Sequence, residues 1–422
     1  MNNDALEVLL QRLQKLHPRF IDLSLERLLR LLKKLNNPHL RVPPIIHIAG
    51  TNGKGSTLNF IKQILIENNY KVHCYTSPHL ESIEERFIVS NKKLKKQKLF
   101  KILKHIELIN NKEQITFFEI VTAAAFYCFN KYKADFLILE TGLGGRFDAT
   151  NVINDSILDI ITPISYDHEE YLGNTLKKIT NEKLGIVKKS SSIIIGKQTK
   201  EVKNYILKKL KNNVNKKLFF GNNFNILKIN KKKFSITKNN KKLYFNKPSL
   251  LGEHQIENAT IAIIAIYEIK KMGYKIKKNL INKGLVNASW PGRLEVFHLN
   301  NQPIFLDGAH NTAGAIQLSK FLKITNQKTW LIFGMLNNKK ITLFLNSLKK
   351  NISGVVAIKI PNQKNSFTTK EIYNVCIKLN IICIKKQNIY TAINYLQKIN
   401  NLERILITGS LYLIGKVRRL FI

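Results

Sequence analysis

The eight residues Gly50-Thr51-Asn52-Gly53-Lys54-Gly55-Ser56-Thr57, directly after the apolar run 45–49 (IIHIA), constrain this chain more than any other stretch. A strand that empties into a glycine-rich turn and then a helix presents backbone N–H groups and a helix N-terminus to a phosphate. Lys54 adds a mobile ammonium that can follow charge onto the outer phosphates of a nucleotide. Leu58, Ile61, Ile64 and Leu65 recur at helical spacing and 71–75 reads as the next strand, which predicts a βαβ unit around the loop. The strict phosphate-loop pattern asks for glycine where Ile48 stands and for Ser or Thr where Gly55 stands. Taken alone, the segment also fits a glycine turn that binds nothing.

A chain of 422 residues exceeds one ordinary hydrophobic core, so two domains are expected, and 44% apolar residues suffice to fill them. No run of eighteen apolar residues occurs, and the opening MNND has neither a basic nor an apolar leader pattern. The expectation is a soluble, cytoplasmic protein with no membrane partner. Cys74, Cys128, Cys376 and Cys383 are scattered without CxxC spacing, which argues against a disulfide framework and a zinc site.

The formal charge of +41 invites a nucleic-acid reading. The basic residues, however, are mostly lysine, run along the whole chain and travel with Asn and Ile. Runs such as 92–96 (KKLKK) and 230–233 (NKKK) carry no interleaved arginine or aromatic pattern of the kind that reads bases. A solvated surface without a nucleic-acid partner is the expectation, with a field that favours anionic substrates.

Helical spacing marks 1–40 in two pieces, one through Leu6, Leu9, Leu10 and Leu13, the other through Leu25, Leu28, Leu29 and Leu32, with a loop at 17–22. Strands are expected at 45–49, 72–76, 136–140 and 157–162, alternating with helices as in a mostly parallel sheet. Short strands at 192–195, 224–228 and 242–245 read as a small antiparallel insert, followed by a helix at 255–272 and a hinge at 289–293 (SWPGR). A second α/β block has strands at 303–306, 330–333, 355–360, 381–384 and 405–408.

Ligands collect at the carboxyl ends of strands in open α/β sheets. Glu140 ends a buried strand there, before TGLGGR, and beside a phosphate loop it is placed to hold Mg²⁺; an exposed acid ending a strand is the bland alternative. His168 follows the next strand in DHEEYLG, as a ligand or a structural histidine, and Lys183 sits beside Glu182 as a functional amine or an exposed ion pair. Asp307 and His310 open a polar strand end (LDGAHN) in the second block, which points to a cleft between domains.

Jointly these segments resemble the folylpolyglutamate synthase and dihydrofolate synthase family of the Mur ligase superfamily. The motifs, in chain order, are 17–25 (HPRFIDLSL), 47–56 (HIAGTNGKGS), 76–80 (TSPHL), 84–87 (EERF), 116–119 (TFFE), 140–151 (ETGLGGRFDATN), 167–173 (DHEEYLG) and 182–186 (EKLGI). They continue with 252–259 (GEHQIENA), 290–295 (WPGRLE), 306–311 (LDGAHN), 333–339 (FGMLNNK) and 409–413 (GSLYL). The family loop reads GTNGKGS or GTNGKGT, which accounts for both departures from the strict pattern.

The resemblance implies an α/β chain with two parts. A P-loop ATPase domain of Mur ligase type, with a mostly parallel sheet and a small antiparallel insert, spans 1–296. A C-terminal Rossmann-like domain spans 297–422. Thr51, Asn52, Gly53 and Lys54, with Asn258, Arg293 and Asp307, are implied to bind ATP, and Lys54, Lys183 and His310 to be catalytic. Ser77 and Glu140 would ligate one Mg²⁺ and His168 a second, while Lys183 matches a lysine carried as a carbamate, with Leu184 replacing the usual alanine beside it. Thr116, Phe117, Phe118 and Glu119, with Phe147, Asp148 and Ala149, would hold the pterin-bearing substrate.

The implied reaction is ATP-dependent addition of L-glutamate to dihydropteroate and to the tail of tetrahydrofolates through an acyl phosphate, by a monomer, with a monovalent-cation requirement left open. A single-activity folylpolyglutamate synthase is the close alternative, and a basic P-loop ATPase that binds nucleic acid is the alternative of another class.

Overall fold

The computed structural model describes residues 3–19, 21–211, 216–300 and 302–422. Phe20, within the 17–25 motif, and Met1 and Asn2 lie outside the described residues. The chain folds as two compact units, Met1–Pro248 with Glu257–Ala288, and Ser249–Ile256 with Ser289–Ile422.

The first unit is built on eight strands: β1 (Ile45–Ala49), β2 (Val72–Tyr75), β3 (Phe87–Val89), β4 (Lys92–Lys93), β5 (Phe136–Glu140), β6 (Leu158–Ile161), β7 (Ser192–Ile195) and β8 (Lys216–Phe219). Their order is β4-β3-β2-β5-β1-β6-β7-β8. β3 pairs antiparallel with β2 and with β4, and every other pairing in this sheet is parallel. Parallel strands covered on both faces are near-continuously apolar, and β1 and β5 are buried at every position. The helix Phe117–Lys131 is apolar almost all round and packs Ile120, Ala124 and Phe126 into one core with Tyr75, Leu137 and Leu139. A second cluster joins Ala49, Ile161, Ile193 and Ile195 to Val202 and Ile206 of the helix Lys200–Lys209.

One expectation is corrected. Residues 192–195 are not part of an antiparallel insert; as β7 they lie between β6 and β8, parallel to both. The physical signal is Ile193-Ile194-Ile195, an unbroken apolar run of a strand buried on both faces, in place of the alternation that an antiparallel strand with one wet face would show. The insert consists of β9 (Phe224–Ile229), β10 (Lys233–Lys238) and β11 (Lys241–Asn246), in the antiparallel order β11-β10-β9. Its middle strand was hidden by lysines at both ends, yet Phe234 and Ile236 are buried.

The second unit carries β12 (Glu295–Leu299), β13 (Gln302–Leu306), β14 (Thr329–Phe333), β15 (Gly354–Ala357), β16 (Cys383–Lys385) and β17 (Arg404–Thr408). Their order is β12-β13-β17-β14-β15-β16, parallel except for the β12–β13 hairpin. The domain limit drawn from the sequence at 296/297 falls inside β12. Among the described residues no helix is long and apolar enough to cross a membrane.

Candidate active site

The loop after β1 takes its shape from side chains of other segments. Gly50 has φ +152°, and a Cβ there would stand 1.9 Å from Thr162 Oγ1, beyond the end of β6. Gly53 is left-handed at φ +87° and begins the helix Lys54–Glu67 with no side chain capping it. A Cβ on Gly53 would meet Asn258 Oδ1 at 2.4 Å, so the asparagine lies directly on the loop backbone. The first-turn amides of a helix have no helical carbonyl to bond, and an uncapped terminus of this kind suits an anion. Thr51 is fixed from outside: its Oγ1 donates to the Ser165 carbonyl at 3.0 Å, and its amide donates to the Pro163 carbonyl at 3.0 Å.

Two ammonium groups meet at this loop. Lys54 Nζ donates to the Gly50 carbonyl at 3.2 Å, and Lys183 Nζ, from the helix Leu176–Leu184, donates to the same oxygen at 2.8 Å. Burial, then the charge of Lys54, pulls the Lys183 amine down to about 7, against the opposing pull of Asp167 and Asp148. A lysine that loses its proton this readily is available as a nucleophile near neutral pH.

At the end of β5, the Glu140 carboxylate accepts the Ser77 amide at 3.3 Å. Ser77 Oγ is shut off from solvent and has no hydrogen-bond partner. A buried hydroxyl left unsatisfied beside a carboxylate suits a hard cation with oxygen ligands, so these residues fit a divalent ion such as Mg²⁺. His168 is left-handed at φ +52°, with its amide on Asp167 Oδ1 at 3.0 Å and its Nε2 3.9 Å from that same atom. Among the described residues no three His, Cys, Asp or Glu side chains converge on one point.

The expected acceptor residues form two neighbouring features. Thr116 caps the helix Phe117–Lys131, its Oγ1 accepting the Glu119 amide at 3.3 Å while Glu119 Oε2 accepts the Thr116 amide at 2.7 Å. Arg27 forks onto Glu119, so that carboxylate is committed to the protein itself. The Phe118 ring stacks on Tyr75 at 6.0 Å and lies beneath Gly142, where a Cβ would come within 2.6 Å of its Cζ. The buried Asp148 accepts from the Leu143 amide at 2.8 Å and from Thr150 Oγ1 at 2.6 Å, and burial raises its pKa. Thr150 in turn takes a hydrogen from His47 Nε2 at 2.8 Å, and burial holds that histidine neutral down to about 3. Asp148 therefore ties its loop to β1 and leaves Phe147 exposed at 46%.

In the second unit, Asp307 accepts the amides of Leu294 and Ala309, both at 2.9 Å, and burial raises its pKa against the pull of Arg293. Leu294 is left-handed at φ +47°, a conformation that this bond sustains. Arg293 Nη1 donates to the Gly292 carbonyl at 3.1 Å, and it lies 2.7 Å from where a Gly308 Cβ would sit. His310 Nδ1 donates to the Gly308 carbonyl at 2.9 Å.

The structure thus gathers Thr51, Asn52, Gly53, Lys54, Lys183 and Asn258 at one loop and sets Ser77 against Glu140 in the first unit, while Arg293, Asp307 and His310 share a strand end in the second. Sequence reasoning missed Thr162 and Ser165, which lie just beyond the end of β6, and Arg27, which carries no recognisable signature.

Comparison with known proteins identifies the family. A family model for the Mur ligase middle domain matches residues 48–266, and one for the dihydrofolate synthetase C-terminal domain matches residues 293–420. The chain is 32% identical to dihydrofolate synthase/folylpolyglutamate synthase of Bacillus subtilis (strain 168), covering 94% of each protein. It is 33% identical to the probable dihydrofolate synthetase of Schizosaccharomyces pombe, covering 94% of this chain and 98% of that one. Among solved structures, E. coli FolC in complex with DHPP and ADP superposes with a TM-score of 0.87 at 26% identity, over 98% of this chain and 97% of that one. The bifunctional folylpolyglutamate synthase/dihydrofolate synthase of Yersinia pestis complexed with AMPPNP and Mn ion gives 0.87 at 25% identity, over 98% and 97%. With relatives this similar along nearly its whole length, the chain belongs to the dihydrofolate synthase/folylpolyglutamate synthase family of ATP-dependent ligases.

Proposed function

We propose that this ligase joins L-glutamate to dihydropteroate and also extends the tail of tetrahydrofolates. The observation that carries the reading is the convergence of Lys54 and Lys183 on the Gly50 carbonyl, at an uncapped helix N-terminus, in a chain 32% identical along its length to an enzyme named for both activities. Thr51, Asn52, Gly53 and Lys54 hold the ATP phosphates, with Asn258 against the same loop, and Arg293 and Asp307 are nucleotide-binding residues of the second unit. Ser77 and Glu140 would hold one Mg²⁺ and His168 a second. Bound there, Mg²⁺ would neutralise charge on the transferring phosphoryl group.

Lys54 leaves the Gly50 carbonyl for the γ-phosphate as the acceptor carboxylate attacks phosphorus, breaking the bond to ADP and forming an acyl phosphate. The α-amine of glutamate then attacks the acyl carbon, inorganic phosphate leaves with the former bond, and the amine loses a proton. His310, fixed through Nδ1, acts near the transferred phosphate. Phe118 and Phe147 offer apolar faces to the pterin-bearing substrate, with Thr116, Phe117, Glu119, Asp148 and Ala149 shaping its pocket. Rate comes from positioning and fixed charge, since no protein nucleophile is required. We infer further that Lys183, in its neutral form, adds CO₂ and loses a proton to become a carbamate, an anion able to help hold metal. A monomer working in the cytoplasm completes the proposal, and a monovalent cation as cofactor is tested in the same assay.

Glutamate-dependent ADP release, measured with dihydropteroate and with tetrahydrofolate, each with and without K⁺, decides between the readings. Turnover of both acceptors is expected. Turnover of tetrahydrofolate alone leaves a single-activity synthase, and turnover of neither overturns the proposal.

A further inference from the structure

Arg27 lies on the helix Glu26–Lys34 beside its buried stripe of Leu28, Leu31 and Leu32, and its side chain is 17% exposed. Its guanidinium makes four hydrogen bonds. Nε and Nη2 reach Glu119 Oε2 and Oε1, both at 3.1 Å, Nη1 reaches Asp22 Oδ2 at 3.1 Å, and Nη2 also reaches the Asp22 carbonyl at 2.7 Å. A planar fork can make this set; the single ammonium of lysine cannot. Asp22 also stands 3.3 Å from His17 Nε2.

The two carboxylates so joined belong to different walls. Asp22, with Arg19, Ile21, Leu23, Glu170 and Tyr171, lines a depression of about 590 Å³ in the first unit. Glu119 closes the cap of the helix Phe117–Lys131, one residue from Phe118, whose ring lies against Gly142 and Tyr75. Asp22 and Glu119 would repel each other without the cation between them, and Glu119, 3% exposed, could not be released to water.

We propose that Arg27 is a positioning residue for the acceptor: it sets the spacing between the wall at Asp22 and the turn at 116–119, and so governs acceptor affinity without touching ATP. This rests on the reading that the 116–119 turn receives the acceptor. A fork that only stabilised the fold would, on removal, weaken all kinetic parameters together. A fork that spaces the acceptor walls affects one substrate.

The test is steady-state kinetics of Arg27→Lys, Arg27→Gln and Asp22→Asn, varying acceptor, ATP and glutamate in turn. The acceptor KM is expected to rise about 10- to 100-fold, as for displacements of about 1 Å, while the KM for ATP stays within about twofold. Guanidinium added to Arg27→Ala is expected to restore the acceptor KM. Acceptor and ATP KM rising together, or an unchanged acceptor KM in a folded Arg27→Gln, overturns the inference. If Arg27→Gln does not fold, the same split in Asp22→Asn decides. A wild-type chain that releases no ADP with either acceptor overturns the acceptor reading and this inference with it; an active wild type with an unchanged Arg27→Gln overturns this inference alone.

Discussion

Lys54 and Lys183 donate to one carbonyl oxygen, that of Gly50, at 3.2 and 2.8 Å. Two amines on one acceptor repel each other, and burial makes Lys183 the one that gives up its proton. Lys54→Ala and, separately, Glu140→Ala are expected to lower kcat by about 10²-fold or more, in line with the loss of a preorganised charge, with melting temperatures near that of the parent. ADP release at saturating ATP and Mg²⁺ checks this, and near-normal turnover in either variant removes that residue from the site.

Lys183→Ala is expected to lose ligation and to recover part of it in acetate or propionate, which would stand in for the carbamate. Full activity in the variant rules the carbamate out. The unmodified amine also leaves a stability signature. Its folded pKa of about 7 lies below the ordinary 10.5, so it contributes stability that is complete above 10.5 and lost as pH falls through 7. Urea unfolding of CO₂-free protein between pH 7 and 10 should show a flatter profile for Lys183→Met than for the parent.

Gly53→Ala places a methyl group against Asn258 Oδ1 and forces a left-handed alanine at φ +87°. A cost of about 1–3 kcal/mol is expected from the backbone conformation alone, and the ATP KM should rise at least about tenfold as the loop shifts. Adding Asn258→Gly removes the collision but not the strain. A double variant no more stable than Gly53→Ala would mean that the asparagine does not press on the loop.

Asp159 lies buried between Ser156 Oγ at 2.6 Å, Ser191 Oγ and the Lys188 amide at 2.9 Å, and burial lifts its pKa from 3.8 to about 6. Its contribution to stability is therefore complete below 3.8 and lost as pH rises through 6, a change on the order of 3 kcal/mol. Asp159→Asn should flatten the pH dependence of chemical unfolding between pH 4 and 7. An unchanged profile would assign that dependence to other carboxylates.

Much of this was legible because it is local. The apolar runs of β1 and β5, the loop between strand and helix, and the carboxylate at Glu140 all show in short windows of sequence. Thr116 and Glu119 also carried a readable signal, since Thr-x-x-Glu before an apolar run is a capping box, and the structure shows both halves formed. What was not legible depends on pairings between distant segments. The place of 192–195 in the parallel sheet is decided by β6 and β8, and Arg27 finds Glu119 across 92 residues of chain. The low affinity of Lys183 for its proton arises from burial and from the charge of Lys54, against the pull of Asp167, and no window around 183 contains these neighbours.

Thr162 beneath Gly50 and Asn258 against Gly53 have a consequence for engineering. The octapeptide 50–57 could be copied onto another strand and helix intact in sequence and still lose its curvature, because the mould that bends it is made of two residues lying far downstream. A graft of this cradle has to carry at least those two side chains, and the sheet neighbour and helix that present them, along with the glycines.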